Sequence, residues 1–515
     1  KTKCLIVCTN SKLAIWHLFF MFIVQIKSLI IIIMVAVAIT LGFVFFFFFS
    51  SSNRFREIQT SEHPKSFESI PGLPSLPIIG NLHHFLPVIG STDLFNMSDY
   101  FYKNYGPVVK MTGIFNRQIV FLFEPEMFDQ VYRAEDATQM PLRPGFAVLQ
   151  HYRSELRKDR FNGVFGLTTA LGSQWRDFRT KVNPALLKPK LVKLYSPGLE
   201  KISEDMVNRL IKLKDKDSLR SDLDQEMTKW SLEAVALVCL GDRLGCLQDG
   251  DLPEDHPGKI LIKCGKDIID LSFKIETMPN PWRYIATPSY NKLIKTLDLQ
   301  WETSEMYIKE AKKKINDRGY DVPDEDKSII EKLLAIDETV SFTTIGLLYR
   351  LASNPKVQDK LREEIRSDPQ KRYLKACLKE SLRLWPAVSA NTRQTSKEHV
   401  VGGYLIPKGV IAPNQYLSSL EKYYPRPREY IPERWLVDKT DPLSYGNAHP
   451  MVTLPFGFGI RTCIGRRIAE LEIETLITHL IDKVKISWDG PPLELKNHVI
   501  NSYKKPFHFK FEVLN

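Results

Sequence analysis

No pair of cysteine pairs at zinc-binding spacing occurs in this chain. The seven cysteines, Cys4, Cys8, Cys239, Cys246, Cys264, Cys377 and Cys463, are scattered through 515 residues, which excludes a zinc ribbon and argues against a disulfide scaffold. There is no glycine fingerprint for a flavin or a nicotinamide, so any redox chemistry would have to draw its electrons from a partner protein. A long Lys/Arg run, a nucleic-acid motif and a repeat of about 20–50 residues are also missing. The balance of 71 basic against 60 acidic residues, +11 overall, therefore fits an acidic protein partner, an anionic membrane surface or a solvated basic surface, with no nucleic acid as partner.

Residues 29–49 contain no charge and are about long enough to cross a 30 Å hydrocarbon core as a helix. A membrane span is expected there. The apolar stretch 13–26 before it is interrupted by His17 and Gln25 and followed by Lys27. A second reading of residues 1–53 is a mistranslated extension, since they start at Lys1 and include the phenylalanine run 45–49. An Arg-rich amphipathic presequence is not visible. Residues 54–77 turn polar and then proline-rich, through Ile70-Pro71-Gly72-Leu73-Pro74-Ser75-Leu76-Pro77, which predicts an extended, stiff linker.

With 43% apolar residues the remaining stretch 78–515 is rich enough to bury a large core. Residues 107–112 and 118–123 are apolar and β-branched and predict a hairpin. Helical periodicity follows over 124–135, with Met127, Phe128 and Val131 on one face, and dominates from 175 to 365, including 201–214 and 222–240. Strands return near 400–410 and toward the C-terminus. The expected fold class is mainly α with a small β subdomain.

One segment carries chemistry. Phe456-Gly457-Phe458-Gly459-Ile460-Arg461-Thr462-Cys463-Ile464-Gly465 sets a cysteine in a glycine-rich loop ahead of a helix. Gly457, Gly459 and Gly465 let backbone approach a flat cofactor, and the helix N-terminus favours the thiolate. Cys239 and Cys377 lie in apolar or helical patterns, where packing is their default role. Glu380-Ser381-Leu382-Arg383 places its charged residues at i, i+3 on one helix face, and Tyr430-Ile431-Pro432-Glu433-Arg434-Trp435 follows. Trp175 and Arg179, one helical turn apart, can reach the same anionic group.

In this order the motifs resemble the cytochrome P450 monooxygenases. The resemblance covers about residues 69–511 and implies the cytochrome P450 fold, with 78–515 as the haem domain. It implies haem b as cofactor, with Cys463 as the axial thiolate and metal ligand, and Phe456 and Gly465 lining the cofactor. Trp175, Arg179, Arg393 and Arg461 match positions that contact the haem propionates. Glu380, Arg383 and Arg434 match a buried ion network bracing the haem side of the core. The implied reaction inserts one oxygen atom of O2 into a small lipophilic or steroid-like substrate.

Three segments resemble the mitochondrial clan of insects: Cys463-Ile464-Gly465-Arg466-Arg467-Ile468-Ala469-Glu470, Glu421-Lys422-Tyr423-Tyr424-Pro425-Arg426-Pro427 and Asn162-Gly163-Val164-Phe165-Gly166-Leu167. That clan takes electrons from a small acidic ferredoxin, for which Lys375 and Lys379 match docking positions. A plain solvated face is the alternative reading of this i, i+4 pair. The uncharged N-terminal run is instead a microsomal feature, with a flavoprotein reductase as donor. Membrane association is expected in both cases, at the mitochondrial inner membrane by resemblance or at the endoplasmic reticulum if the anchor operates.

The chain also departs from the pattern. The family's central helix carries an acidic residue followed by threonine in a glycine-containing kink, and that oxygen-activating pair is not found here, so no catalytic residue is assigned. Only residues 338–345 stand between the segments resembling its flanks. As a helix they span about 12 Å, and the central helix is expected to be shortened. Thr343 and Thr344 match the tail of the missing block and read as ordinary helix surface. A second contraction lies between Glu364 and Tyr373, and Ile460 replaces a usual proline. The alternative function is a catalytically silent haem-binding or membrane-anchored interaction protein, from a truncated gene model or a splice form.

Overall fold

The structure, a computed structural model, describes residues 63–85, 93–113, 117–135, 146–163, 165–170, 172–250, 252–277, 280–316, 337–395, 397–496 and 500–514. The chain divides into two compact units, Lys1–Glu62 and His63–Asn515. The run 29–49 lies outside the described residues. Among those described, no helix is long and apolar enough to cross a membrane.

The second unit begins earlier than the expected 78. Lys65 N–H donates to the Gly403 carbonyl at 2.8 Å, Leu405 N–H to the Lys65 carbonyl at 2.9 Å, and Lys110 N–H to the Pro71 carbonyl at 2.8 Å. Proline lacks the N–H but keeps the carbonyl, so Pro71 can still accept; residues 63–77, which include a helical turn at Phe67–Ser69, dock on sheet edges. Gly72 makes this approach possible, because a Cβ there would stand 2.0 Å from the Lys110 carbonyl oxygen.

Helix α1 (Leu94–Tyr105) starts at Asp93, whose carboxylate accepts from the N–H of Phe95 and Asn96, and stops at Gly106 with φ +87°. That is an acidic N-cap followed by a left-handed C-terminal stop. The predicted hairpin forms as β1 (Val108–Thr112) and β2 (Gln118–Leu122), antiparallel with Val108 opposite Leu122. Helix α2 (Pro125–Arg133) follows, burying Phe128 and Val131 as its period required. Strands β3 (Arg393–Gln394) and β6 (Val410–Pro413) complete a sheet of order β1-β2-β6-β3, with Arg393 opposite Ile411. Strands β4 (His399–Val401) and β5 (Tyr404–Ile406) form a small antiparallel pair between them in sequence.

The remaining core is mainly helical, with an antiparallel strand pair, Val484–Trp488 and Phe509–Val513, at its C-terminal side. It is built from α3 (Gly172–Leu187), α4 (Ser196–Leu213), α5 (Asp217–Leu240), α6 (Pro257–Thr277), α7 (Pro288–Asn316), α8 (Asp337–Ala352), α9 (Pro355–Ser367), α10 (Arg372–Leu384) and α11 (Arg466–Lys483). Met206, Leu210, Met227, Trp230, Leu348, Leu378 and Leu476 join α4, α5, α8, α10 and α11 in one buried cluster. The chain is thus mainly helical with a small β region, as its periodicity indicated.

The contraction between Glu364 and Tyr373 is closed by a short turn. The Glu364 carboxylate accepts from the backbone N–H of Tyr373 and Leu374, capping the free amides at the start of α10. Helix α8 begins at Asp337, and residues 317–336 before it lie outside the description. Thr343 and Thr344 are not on the surface. Both are buried, and each hydroxyl donates at 2.8 Å to the carbonyl four residues earlier, of Thr339 and Val340. The apolar packing of α8 against the core turns this face inward, and back-bonding satisfies the hydroxyls there.

Candidate functional site

The cysteine loop turns tightly between the core and the start of α11. Gly457 and Gly459 have φ of +73° and +71°, left-handed values that favour glycine at both positions. Gly465 is the N-cap of α11 with φ −80°, ordinary backbone, so any reason for glycine there is close approach to a cofactor rather than conformation. The loop closes when Cys463 N–H donates to the Phe456 carbonyl at 2.8 Å. Cys463 is half-buried, whereas Cys246, Cys264 and Cys377 are buried. Burial pushes the Cys264 thiol up to about 11 and raises Cys377 further, so these two remain inert thiols.

Cations gather around the loop. Arg179 donates to the Thr462 carbonyl at 2.8 Å and to Asn183 Oδ1 at 2.7 Å. Burial lowers its pKa, while the nearby Cys463 acts to raise it. Trp175 is buried, not on an exposed basic face. Its Nε1–H and an Arg461 Nη1–H both donate to the Leu167 carbonyl at 3.1 Å. The Arg461 and Arg179 guanidiniums lie 4.4 Å and 5.7 Å from the Trp175 ring centroid. Arg393 reaches the loop from β3, donating to the Phe458 carbonyl at 3.3 Å. Thus Trp175 and Arg179 from α3 and Arg393 from β3 gather at the loop that carries Phe456, Arg461 and Cys463.

The second motif forms a separate, fully buried cluster. Arg383 grips Glu380 with two parallel bonds, Nε to Oε2 at 2.9 Å and Nη2 to Oε1 at 2.8 Å. Arg434 Nε and Ile431 N–H also donate to Oε1, at 3.0 Å and 3.2 Å. Trp435 Nε1–H donates to Oε2 at 3.0 Å. The Glu380, Arg383 and Arg434 side chains are all 0% exposed. The sequence reading missed Trp435 as a member, although it directly follows Arg434 in the quoted motif. Tyr424 links the network to the segment ahead of the loop: its ring lies 5.0 Å from the Arg383 guanidinium and its hydroxyl meets Thr453 at 2.9 Å.

Lys375 and Lys379 are exposed on α10. Lys375 donates to the Gln370 carbonyl at 2.9 Å, and Lys379 lies 5.6 Å from the Trp435 ring centroid. Glu474 of α11 feels Lys375, Lys371 and Lys379 together, so the basic face includes a third lysine. An acidic residue followed directly by threonine does occur in the first turn of α8, as Glu338-Thr339. The sequence reading passed over it because it sought the pair inside an intact longer block with a glycine.

The donor set suits haem. Cys463, half-buried in a loop with left-handed Gly457 and Gly459, can offer one thiolate to the iron. Buried Arg393, Arg461 and Trp175, with half-buried Arg179, supply donors for carboxylates.

Comparison with known proteins agrees. The model of the family described as Cytochrome P450 matches residues 70–337 and 324–511, two segments that overlap beside the start of α8. Cytochrome P450 CYP12A2 of Musca domestica is 34% identical, covering 85% of this chain and 90% of its own length. The probable cytochrome P450 12b2, mitochondrial, of Drosophila melanogaster is 33% identical, covering 88% and 90%. The probable cytochrome P450 301a1, mitochondrial, of the same organism is 30% identical, covering 90% of each.

Proposed function

Because this chain belongs to the cytochrome P450 family, a family of haem-thiolate monooxygenases, we propose that it oxygenates a small lipophilic substrate with electrons from an acidic ferredoxin. When bound, haem supplies the redox chemistry by which one atom of O2 enters the substrate and the other leaves as water. Cys463 would hold the iron through its strongly donating thiolate. Arg179, bonded to the adjacent Thr462 carbonyl, places positive charge where it favours the thiolate over the thiol. Trp175, Arg393 and Arg461 would exchange their carbonyl partners for the haem carboxylates and so fix its orientation.

By its place in the sequence Glu338-Thr339 would stand for the oxygen-side acid and alcohol, and the Thr339 hydroxyl would be the group that hands on protons. The central helix is shortened on this reading, and the split in the family match beside α8 supports it. Lys371, Lys375 and Lys379 would meet the acidic donor. A mitochondrial address follows the printed names of the relatives, with membrane association as the expected setting.

The observation that carries the proposal is the Cys463 loop, with Gly457 and Gly459 left-handed and Arg179 on the neighbouring carbonyl. Haem-loaded protein, reduced under carbon monoxide, should show the red-shifted Soret band of thiolate ligation. Cys463→Ser should abolish it while leaving the far-UV circular dichroism unchanged. A well-folded parent without that band overturns the reading.

A further inference from the structure

Arg393 is not held by backbone alone. Its Nε donates to Glu135 Oε1, and the two side chains are 6% and 7% exposed. The remaining N–H groups make longer bonds to carbonyls, 3.4 Å to Asn391, 3.2 Å to Thr392 and 3.3 Å to Phe458. The Tyr132 ring lies beneath, with its centroid 4.7 Å from the guanidinium. Glu135 Oε2 is buried and has no hydrogen-bond partner among the described residues. It faces the cysteine loop, since a Cβ on Gly459 would stand 3.1 Å from it.

We propose that Glu135 is a positioning residue of the haem site. It holds the Nε edge of Arg393 so that the Nη edge faces the cysteine loop, and it remains beside the haem carboxylate that Arg393 binds. A guanidinium has five N–H groups and can serve two carboxylates on different edges. The committed edge is the short charged bond to Glu135, and the exchangeable edge is the one with long bonds to neutral carbonyls. Two anions sharing one cation in a buried site each disfavour added negative charge nearby. A charged Glu135 therefore opposes reduction of the iron and lowers its potential.

This inference rests on the reading of Arg393 as a haem-carboxylate contact, so Arg393→Ala is the control. Holoprotein and variants are compared by haem transfer to excess apomyoglobin and by spectroelectrochemical titration. Glu135→Gln keeps an oxygen for Arg393 Nε but removes the charge. It is expected to raise the midpoint potential and to lose haem no faster than the parent. Glu135→Ala removes the hold as well, and haem transfer is expected to quicken about tenfold, the effect of losing one charged hydrogen bond. If Glu135→Gln leaves the potential unchanged, or Glu135→Ala transfers haem at the parental rate, the inference fails. If Arg393→Ala also transfers haem at the parental rate, the underlying reading of Arg393 fails with it. Should Glu135→Ala not fold, the potential of Glu135→Gln still decides.

Discussion

Two buried charge clusters lie near the cysteine loop, and they are finished to different degrees. In the Glu380 cluster both carboxylate oxygens are saturated by Arg383, Arg434, Ile431 N–H and Trp435. In the loop cluster Arg179, Arg461 and Trp175 donate to the backbone carbonyls of Thr462 and Leu167, Arg179 also to Asn183 Oδ1, and Arg393 pairs with Glu135. A carboxylate saturated like Glu380 holds elements together, although Arg434 Nη1 has no partner among the described residues. A cation that donates to a neutral carbonyl can make a stronger bond to a carboxylate. The contrast is between a carboxylate whose acceptors are all used and donors that are spent on backbone.

The sharpest way to break the comparison is Glu380→Gln. Two buried guanidiniums would lose their counter-charge, a cost of about 3–5 kcal/mol in a fold whose stability is of order 5–15 kcal/mol. Urea denaturation should show the loss, accompanied by poor soluble yield. Arg461→Ala is expected to behave oppositely: stability falls by only about 1 kcal/mol, while haem transfer to apomyoglobin quickens roughly tenfold or more. Equal unfolding midpoints for the two variants would erase the distinction.

A third carboxylate tests the rule from the other side. Glu472 of α11 is buried, neither of its oxygens has a partner among the described residues, and burial raises its pKa well above 4.5. It folds best as the neutral acid. A raised carboxylate pKa means the unfolded state ionises first, so stability is lost as pH climbs above about 4.5. Glu472→Gln should therefore change little at pH 4 and gain about 1–3 kcal/mol near pH 7, read by urea denaturation at both pH values. A gain that does not grow with pH would contradict this.

The smallest effect is expected on α10. Lys375→Gln and Lys379→Gln should each raise the apparent KM for an acidic ferredoxin by about two- to fivefold, as exposed charges contribute up to about 1 kcal/mol. The salt dependence of turnover should become shallower, and kcat at saturating donor should stay the same. Unchanged KM in the double variant would return these lysines to a plain solvated face.

Much of this was legible in sequence because it is local. The hairpin, α2 and α10 follow from periodicity, and the cysteine loop and the Glu380-to-Arg383 spacing lie within single short segments. What escaped the reading is non-local or depends on environment. Glu135 meets Arg393 across 258 positions, and nothing in either neighbourhood marks the pair. Thr343 and Thr344 read as surface because polarity was taken for exposure, while back-bonding let them be buried.

The sequence by itself determined the family, the mainly helical fold and the cysteine loop that carries the proposed ligand Cys463, since each depends on residue types at short, characteristic spacings. Only the tertiary structure decided which charges are closed into scaffold and which are left on replaceable carbonyls. It also decided that Trp435 and Glu135 belong to those clusters. The physical reason is that a charge's role depends on its partners and its distance from water, and chain folding sets both across hundreds of residues.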